Sequence, residues 1–521
     1  MFKCKQLLRR ICVVSYVFLL CGGLVNASNL VSKTNTLIGT QGNGWASGYL
    51  YPGATYPFGM VQFTPTYFTK QLGFVINQLS GAGCDHMGNF PTLPIAGALR
   101  VSPDSILNMQ TPVGKEIGTA GYYAATVDHS IRAELTVTER TGMARYTFSS
   151  KEKQGTVIIG GGVAATSIQV AAIKITGPHS CEGYAEGGAF CGIPTPYKVY
   201  FVAEFDADAE SFGTWKEERL HANHTFAEGS HSGVYFTFPL KEGNQAVQYK
   251  IGVSYVSVEN ARENLRVENP AWDFSAVRQA TQDKWNEYLG KIEVEGDNED
   301  RQMQFYTHLY RSLIHPNVCS DVNGEYMGAD SQVHKTARKF YTSFSNWDTY
   351  RTQTALIAML APEETSDIVM SHYLFAEQSG GGFPRWVLAN IETGVMQGDP
   401  TPILVANAYA FGARNYDPRT LLRTMRYGAE VPGANSQGVL TRPGLEQYLE
   451  KGYYDASILL EYTSSDFAIG RFALQACNDE PVCNWYTQRA MNWKNLFNKE
   501  TGWLQSRNED GSWKRYDADW R

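Results

Sequence analysis

A β-sandwich followed by an array of helices is the architecture that this chain encodes, and three features carry that expectation. From Thr36 to about Leu265 the apolar residues alternate as half-buried strands require: Val247, Tyr249, Ile251, Val253 and Tyr255 make one stripe, and Val199, Phe201, Ala203 and Phe205 another. After Pro270 the apolar spacing changes to steps of three and four, the period of an amphipathic helix, as in Val277, Ala280, Trp285, Tyr288 and Leu289. The chain also runs to 521 residues, more than one hydrophobic core usually organises, so two or more domains are expected.

Taken in order, residues 1–27 read as a signal peptide for secretion. Lys3, Lys5, Arg9 and Arg10 make a basic start, Ile11 to Leu20 an apolar stretch, and Val25-Asn26-Ala27 a small-residue cleavage site before Ser28. The protein is therefore expected to be exported, periplasmic or extracellular. Surface anchoring through a lipid on Cys21 ranks second, because Leu20 is not a small residue. No later stretch approaches the roughly 18 apolar residues of a transmembrane segment. Of nine cysteines, Cys4, Cys12 and Cys21 fall in this leader. Export permits disulfides. Cys181 with Cys191 and Cys477 with Cys483 are close enough in sequence to close local loops, whereas Cys84 and Cys319 sit in Gly-rich or apolar surroundings and read as buried thiols.

Residues 28–268 form the expected antiparallel sandwich, with turns at Gly160-Gly161-Gly162 and Gly187-Gly188. Glu204, Asp206, Asp208 and Glu210 share one face at a strand end; a metal is one reading, and a solvated face the commoner one. Residues 269–521 form the helical part. Met303, Tyr306, Tyr310 and Leu313 continue the helical period up to Pro316, and later helices stop at Pro362, Gly380, Gly412 and Gly428. Short loops between such helices indicate hairpins arranged as a toroid or a solenoid, and no internal repeat favours the solenoid.

Composition narrows the function. A formal charge of -7 without a Lys/Arg tract argues against nucleic acid, whose binding draws on cationic contacts with phosphate. Aromatics make up 13% of the chain, which suits stacking of sugar rings, although the core claims most of them. No HExxH, GxSxG, Walker loop or strand-linked GxGxxG occurs, so zinc proteases, α/β-hydrolases and nucleotide-dependent enzymes lack their residues. Asp321-Val322-Asn323-Gly324-Glu325 has the acids of a calcium loop, but Tyr326 stands where that loop needs glycine, and a turn is the better reading.

What remains is a series of glycine- and aromatic-rich strings. They include Tyr51-Pro52-Gly53-Ala54-Thr55-Tyr56-Pro57-Phe58-Gly59, Leu79-Ser80-Gly81-Ala82-Gly83-Cys84, Phe305-Tyr306-Thr307-His308-Leu309-Tyr310-Arg311, His315-Pro316-Asn317, Trp347-Asp348-Thr349-Tyr350-Arg351, Gly381-Gly382-Phe383-Pro384-Arg385-Trp386 and Asp466-Phe467-Ala468-Ile469. In number and order they resemble glycoside hydrolase family 92 along the whole mature chain. The resemblance implies an amino-terminal sandwich packed on a carboxy-terminal (α/α)6 toroid, incomplete in this chain. It also implies an exo-α-mannosidase that releases terminal mannose from glycans with inversion and uses calcium as cofactor. Inversion needs two carboxyl groups about 6.5–9.5 Å apart, one protonated and one ionised. By the resemblance these general acid and base residues, and most calcium ligands, follow Gly511-Ser512-Trp513 and lie past Arg521, so the 521 residues alone are expected to be inactive. Glu509, Asp510, Asp517 and Asp519 do not stand in the family's motif and receive no catalytic role. Asn407 and Thr401-Pro402 depart from the family pattern. A glycan-binding or structural protein without turnover is the alternative.

Trp347 and Asp348 are the foremost substrate-binding candidates, which the resemblance places in the subsite for the terminal mannose. An indole offers a stacking face and a carboxylate accepts from sugar hydroxyls; the competing reading makes Asp348 a helix cap and Trp347 core. Arg351 either orients Asp348 or forms a salt bridge with it. Trp386, Glu392, Gln78 and Asp85 are further candidates, for which a structural role is favoured.

Overall fold

The computed structural model describes residues 29–40, 49–65, 73–104, 113–241 and 245–515; the leader of residues 1–27, and with it the secretion signal, lies outside them. The two alternating stripes do lie on strands. Phe201, Ala203 and Phe205 pair with Val253, Ile251 and Tyr249, and all six side chains are buried. Among the described residues these strands belong to a nine-stranded antiparallel sheet running from Phe226–Glu228 to Val113–Thr119. A second, eight-stranded sheet runs from Ala54–Thr55 to Arg219–Ala222. One core contains side chains from both sheets, Phe63, Ile158 and Phe236 from the second with Tyr146, Phe201 and Tyr249 from the first. Packing is close enough that a Cβ on Gly233 would stand 2.2 Å from the Trp215 ring, which fixes glycine there.

The β reading overreaches at its end, because Val258–Glu268 is a helix (α1). Ser257 caps it, accepting from the Asn260 N–H, and its buried face is Asn260, Ala261, Asn264 and Leu265. Two asparagines on the inward face hide the apolar period. They face inward because both donate to the Asp321 carboxylate, at 2.8 and 2.6 Å, with Ser254 Oγ as a third donor at 2.7 Å. Asp321–Glu325 is a turn in which the Gly324 N–H donates to Asp321 O at 2.9 Å. The acids after strand Ile193–Phe205 do not gather: Asp206 accepts from the Gln248 N–H and Asp208 pairs with His179.

The helical part continues with α2 (Phe274–Leu289), α3 (Glu299–Ser312), α4 (Asn346–Thr349), α5 (Gln353–Leu360), α6 (Pro362–Gln378), α7 (Thr401–Ala410), α8 (Pro418–Glu430), α9 (Leu445–Lys451), α10 (Ala456–Cys477) and α11 (Glu480–Ala490). Short connections make neighbours of α5 and α6 and of α10 and α11, hairpin units of the kind from which a helical toroid is built, whereas longer segments with small sheets separate α3 from α4 and α6 from α7. Their shared core joins Ala358, Val369, Leu404, Leu421, Ile469, Phe472 and Tyr486. Within it Asp466 is fully buried, held by Arg442 at 2.7 Å and by Arg489, while Arg442 also reaches Asp399 at 2.8 Å. The two domains interlock. Arg311 of α3 donates to the carbonyls of Tyr51 and Thr36, and the Trp285 indole to that of Thr55.

The cysteine pairing differs from the local loops expected. Cys84 and Cys191 form a disulfide across 107 residues, while Cys181, Cys319, Cys477 and Cys483 are free. Cys181 and Cys191 cannot meet, because the single strand Ser180–Phe190 separates them and an extended chain rises about 3.3 Å per residue. Cys477 ends α10 facing a surface cleft, whereas Cys483 turns inward on α11. Cys319 is a buried thiol, as expected; Cys84 is not.

Candidate functional site

A cavity of about 610 Å³ opens where the two domains meet. The sandwich lines it with the loop from Leu79 to Cys84 and with Phe190 and Cys191; the helical domain supplies His308, Arg311, Asp348, Gln353 and Trp386. Serines and a threonine (Ser80, Ser312, Ser343, Ser345, Thr349) set hydroxyls among these groups. Three wall residues hold left-handed backbone, Cys191 at φ 50°, Ser343 at 61° and Met396 at 66°. Non-glycine residues adopt such angles seldom, and they collect at functional walls.

Asp348 is the third residue of α4, after the cap position Ser345, and caps nothing. Its Oδ2 accepts from the Trp386 indole at 3.4 Å. The carboxyl is open to the cavity, yet the surrounding walls desolvate it and raise its pKa from the ordinary aspartate value. The field of Arg351 opposes that rise. Trp386 heads the strand Trp386–Leu388, and its ring stacks on Phe190, centroids 4.3 Å apart and planes 25° apart. Glu392 stands behind it, buried and outside the cavity. Its carboxylate accepts the backbone N–H groups of Arg385 at 2.6 Å, Trp386 at 3.2 Å and Gly394 at 3.0 Å, and so pins the segment that carries the indole. Burial raises its pKa.

The other candidates lie elsewhere. Trp347 is outside the cavity lining and donates to Glu461 at 3.1 Å. Arg351 pairs with Glu461 at 3.7 Å and lies over the Trp347 ring, so its ion-pair partner is not Asp348. Gln78 is buried one residue before the lining begins, its N–H donating to Gln62 at 3.2 Å. Asp85 is exposed just past the lining, its carboxyl raised by desolvation. The structure thus brings Asp348 and Trp386 together, backs them with Glu392, and sets the remaining four apart.

Sequence reasoning overlooked four groups. Glu461 collects Trp347, Tyr350 and Arg351 from α10, more than a hundred residues away in sequence, and only the fold joins them. Arg311, within one of the strings above, is a cation in the cavity wall with backbone carbonyls as partners. Phe190 reaches in from the sandwich. His315 accepts the Ser80 N–H at 3.0 Å, as His86 accepts that of Leu79 at 2.8 Å, so two imidazoles hold the loop. Burial drops both to a pKa of about 4, which keeps them neutral and able to accept. Among the described residues no group of three or more His, Cys, Asp or Glu side chains is placed to hold a metal.

The profile of the glycosyl hydrolase family 92 N-terminal domain matches residues 34–254, and that of the family's catalytic domain residues 260–521. The chain belongs to glycoside hydrolase family 92. A family 92 α-mannosidase of Bacteroides thetaiotaomicron has the same fold, with a TM-score of 0.84 and 24% identity over 93% of this chain and 68% of its own. An inverting family 92 mannosidase of the same organism gives 0.84 and 25% over 94% of this chain and 68% of its own. An uncharacterised secreted glycosidase of Arthroderma benhamiae is 25% identical over 93% of this chain and 66% of its own length. The chain thus spans about two-thirds of the length of these relatives. In this family 92 chain the cavity falls where the N-terminal and catalytic domains meet. No helix among the described residues is long and apolar enough to cross a membrane.

Proposed function

We propose that this protein is an exported exo-α-mannosidase that releases terminal α-linked mannose from glycans with inversion, and that the cavity around Asp348 receives the departing sugar. The observation that carries the reading is the pairing of Asp348 with the Trp386 indole in the wall of a hydroxyl-lined cavity. A carboxylate offers about four acceptor positions; the indole occupies one and orients the rest toward vicinal hydroxyls. The lining carries one guanidinium, Arg311, and one carboxylate, Asp348, so its formal charges balance and a neutral polyol fits better than an ion. The stacked and buried Trp386 and Phe190 rings make part of the cavity wall apolar. Family membership and the inverting Bacteroides neighbour support the reaction class.

Neither the general acid nor the general base is assigned to a described carboxylate. Calcium, as the family's cofactor, would assist by taking sugar hydroxyls as ligands; the described side chains do not form a site for it. Proton NMR of mannoside hydrolysis by a chain of the family's full length tests the proposal. Mannose is expected to appear first as the β-anomer, and a chelator is expected to stop its release, while residues 28–521 alone bind sugar without turnover. Initial release of the α-anomer contradicts inversion. Binding without hydrolysis by the full-length chain establishes the glycan-binding alternative.

A further inference from the structure

We propose that Phe190 is a positioning residue for the sugar site, clamped by the Cys84–Cys191 disulfide, so that a hairpin of the sandwich sets the geometry of the Trp386–Asp348 pair in the helical domain. The inference rests on the reading of the cavity as a mannose site. Phe190 and Ile193 close the hairpin between the strands Ser180–Phe190 and Ile193–Phe205, leaving Cys191 and Gly192 as a two-residue turn. Both turn residues are left-handed, at φ 50° and 80°, as the tightest hairpins require. Such a tip is ordinarily free to move. Here it is tied twice, by the disulfide to the loop from Leu79 to Cys84 in the cavity wall and by the Phe190 ring lying on the indole.

Each tie has a geometric consequence. With centroids 4.3 Å apart, Phe190 covers one face of Trp386, and both rings are buried, 3% and 5% exposed. An indole packed on that face has its N–H direction set, and that N–H meets Asp348 at 3.4 Å. Glu392 fixes the backbone of Trp386 but cannot fix the rotation of its ring. Phe190 supplies that constraint. The disulfide holds Phe190 in turn, because Cys84 ends a loop whose N–H groups are anchored on His86 and His315.

The test follows the Trp386 indole resonance in the whole chain labelled with 15N-tryptophan, the signal being identified by its disappearance in Trp386→Phe. In the parent protein it is expected to move as the Asp348 carboxyl titrates, and to stand still in Asp348→Asn. Phe190→Ala is expected to abolish that movement and to weaken binding of mannoimidazole about three- to tenfold, the worth of one aromatic pair. Phe190→Leu, apolar but not flat, is expected to do the same if the alanine variant does not fold. Phe190→Tyr is expected to restore both. The double variant Cys84→Ser/Cys191→Ser is expected to lose the movement in part. A parent-like titration in Phe190→Leu overturns the positioning role, and one in the double cysteine variant overturns the clamp. If the parent protein binds no mannoimidazole while its indole signal still depends on Phe190, the mannose reading falls and the positioning role stands.

Discussion

Asp348 and Glu392 are both carboxylates whose pKa burial raises, yet their surroundings give them opposite tasks. Asp348 has one partner and faces the cavity; Glu392 has backbone partners and faces the protein. Glu392→Ala is expected to leave the N–H groups of Arg385, Trp386 and Gly394 without their acceptor. Urea unfolding should show a loss of about 3 kcal/mol, accompanied by weaker sugar binding because Trp386 shifts with its backbone. An unchanged unfolding midpoint would contradict the pinning role. At this scale the aromatic strings point first to Asp348, whereas for Trp386 they favour a structural role. The partner of Arg351 was not legible, because Glu461 lies on a distant helix and proximity in sequence favoured Asp348.

Among elements, the loop from Leu79 to Cys84 depends on two histidines that must stay neutral. Their pKa of about 4 in the fold lies below the ~6.5 of an unfolded chain. Between those values the unfolded state binds more protons, so stability is full above about pH 6.5 and falls as the pH drops toward 4, by up to ~3 kcal/mol per histidine. Denaturant midpoints measured from pH 7 to pH 4 should decline accordingly, and His315→Gln, neutral at every pH, should flatten the slope. A slope unaffected by that change would contradict the anchoring. Strands and most helices were legible from their apolar periods. Helix α1 was not, because asparagines reaching for Asp321 occupy its buried face. The disulfide was not either, since strand topology rather than spacing decides which cysteines meet.

Over the whole molecule, the site belongs to neither domain. The sandwich gives Phe190, Cys191 and the anchored loop, the helices give Asp348, Trp386 and Arg311, and the cavity exists because the two interlock. The order sandwich then helices was legible in the change of apolar period near Pro270; the meeting of distant segments was not, being a property of packing. The central claim is that this shared cavity holds mannose through Asp348. Calorimetric titration of mannoimidazole, which is bound in a complex of the Bacteroides α-mannosidase, into the parent chain and Asp348→Ala tests it most directly. Hydrogen bonds to a charged group contribute about 1.5–3 kcal/mol, so Asp348→Ala should weaken binding roughly ten- to a hundredfold while the melting temperature stays within about 2 °C, because Asp348 caps no helix. Equal affinity in the two proteins, with a lowered melting temperature in the variant, would contradict the account.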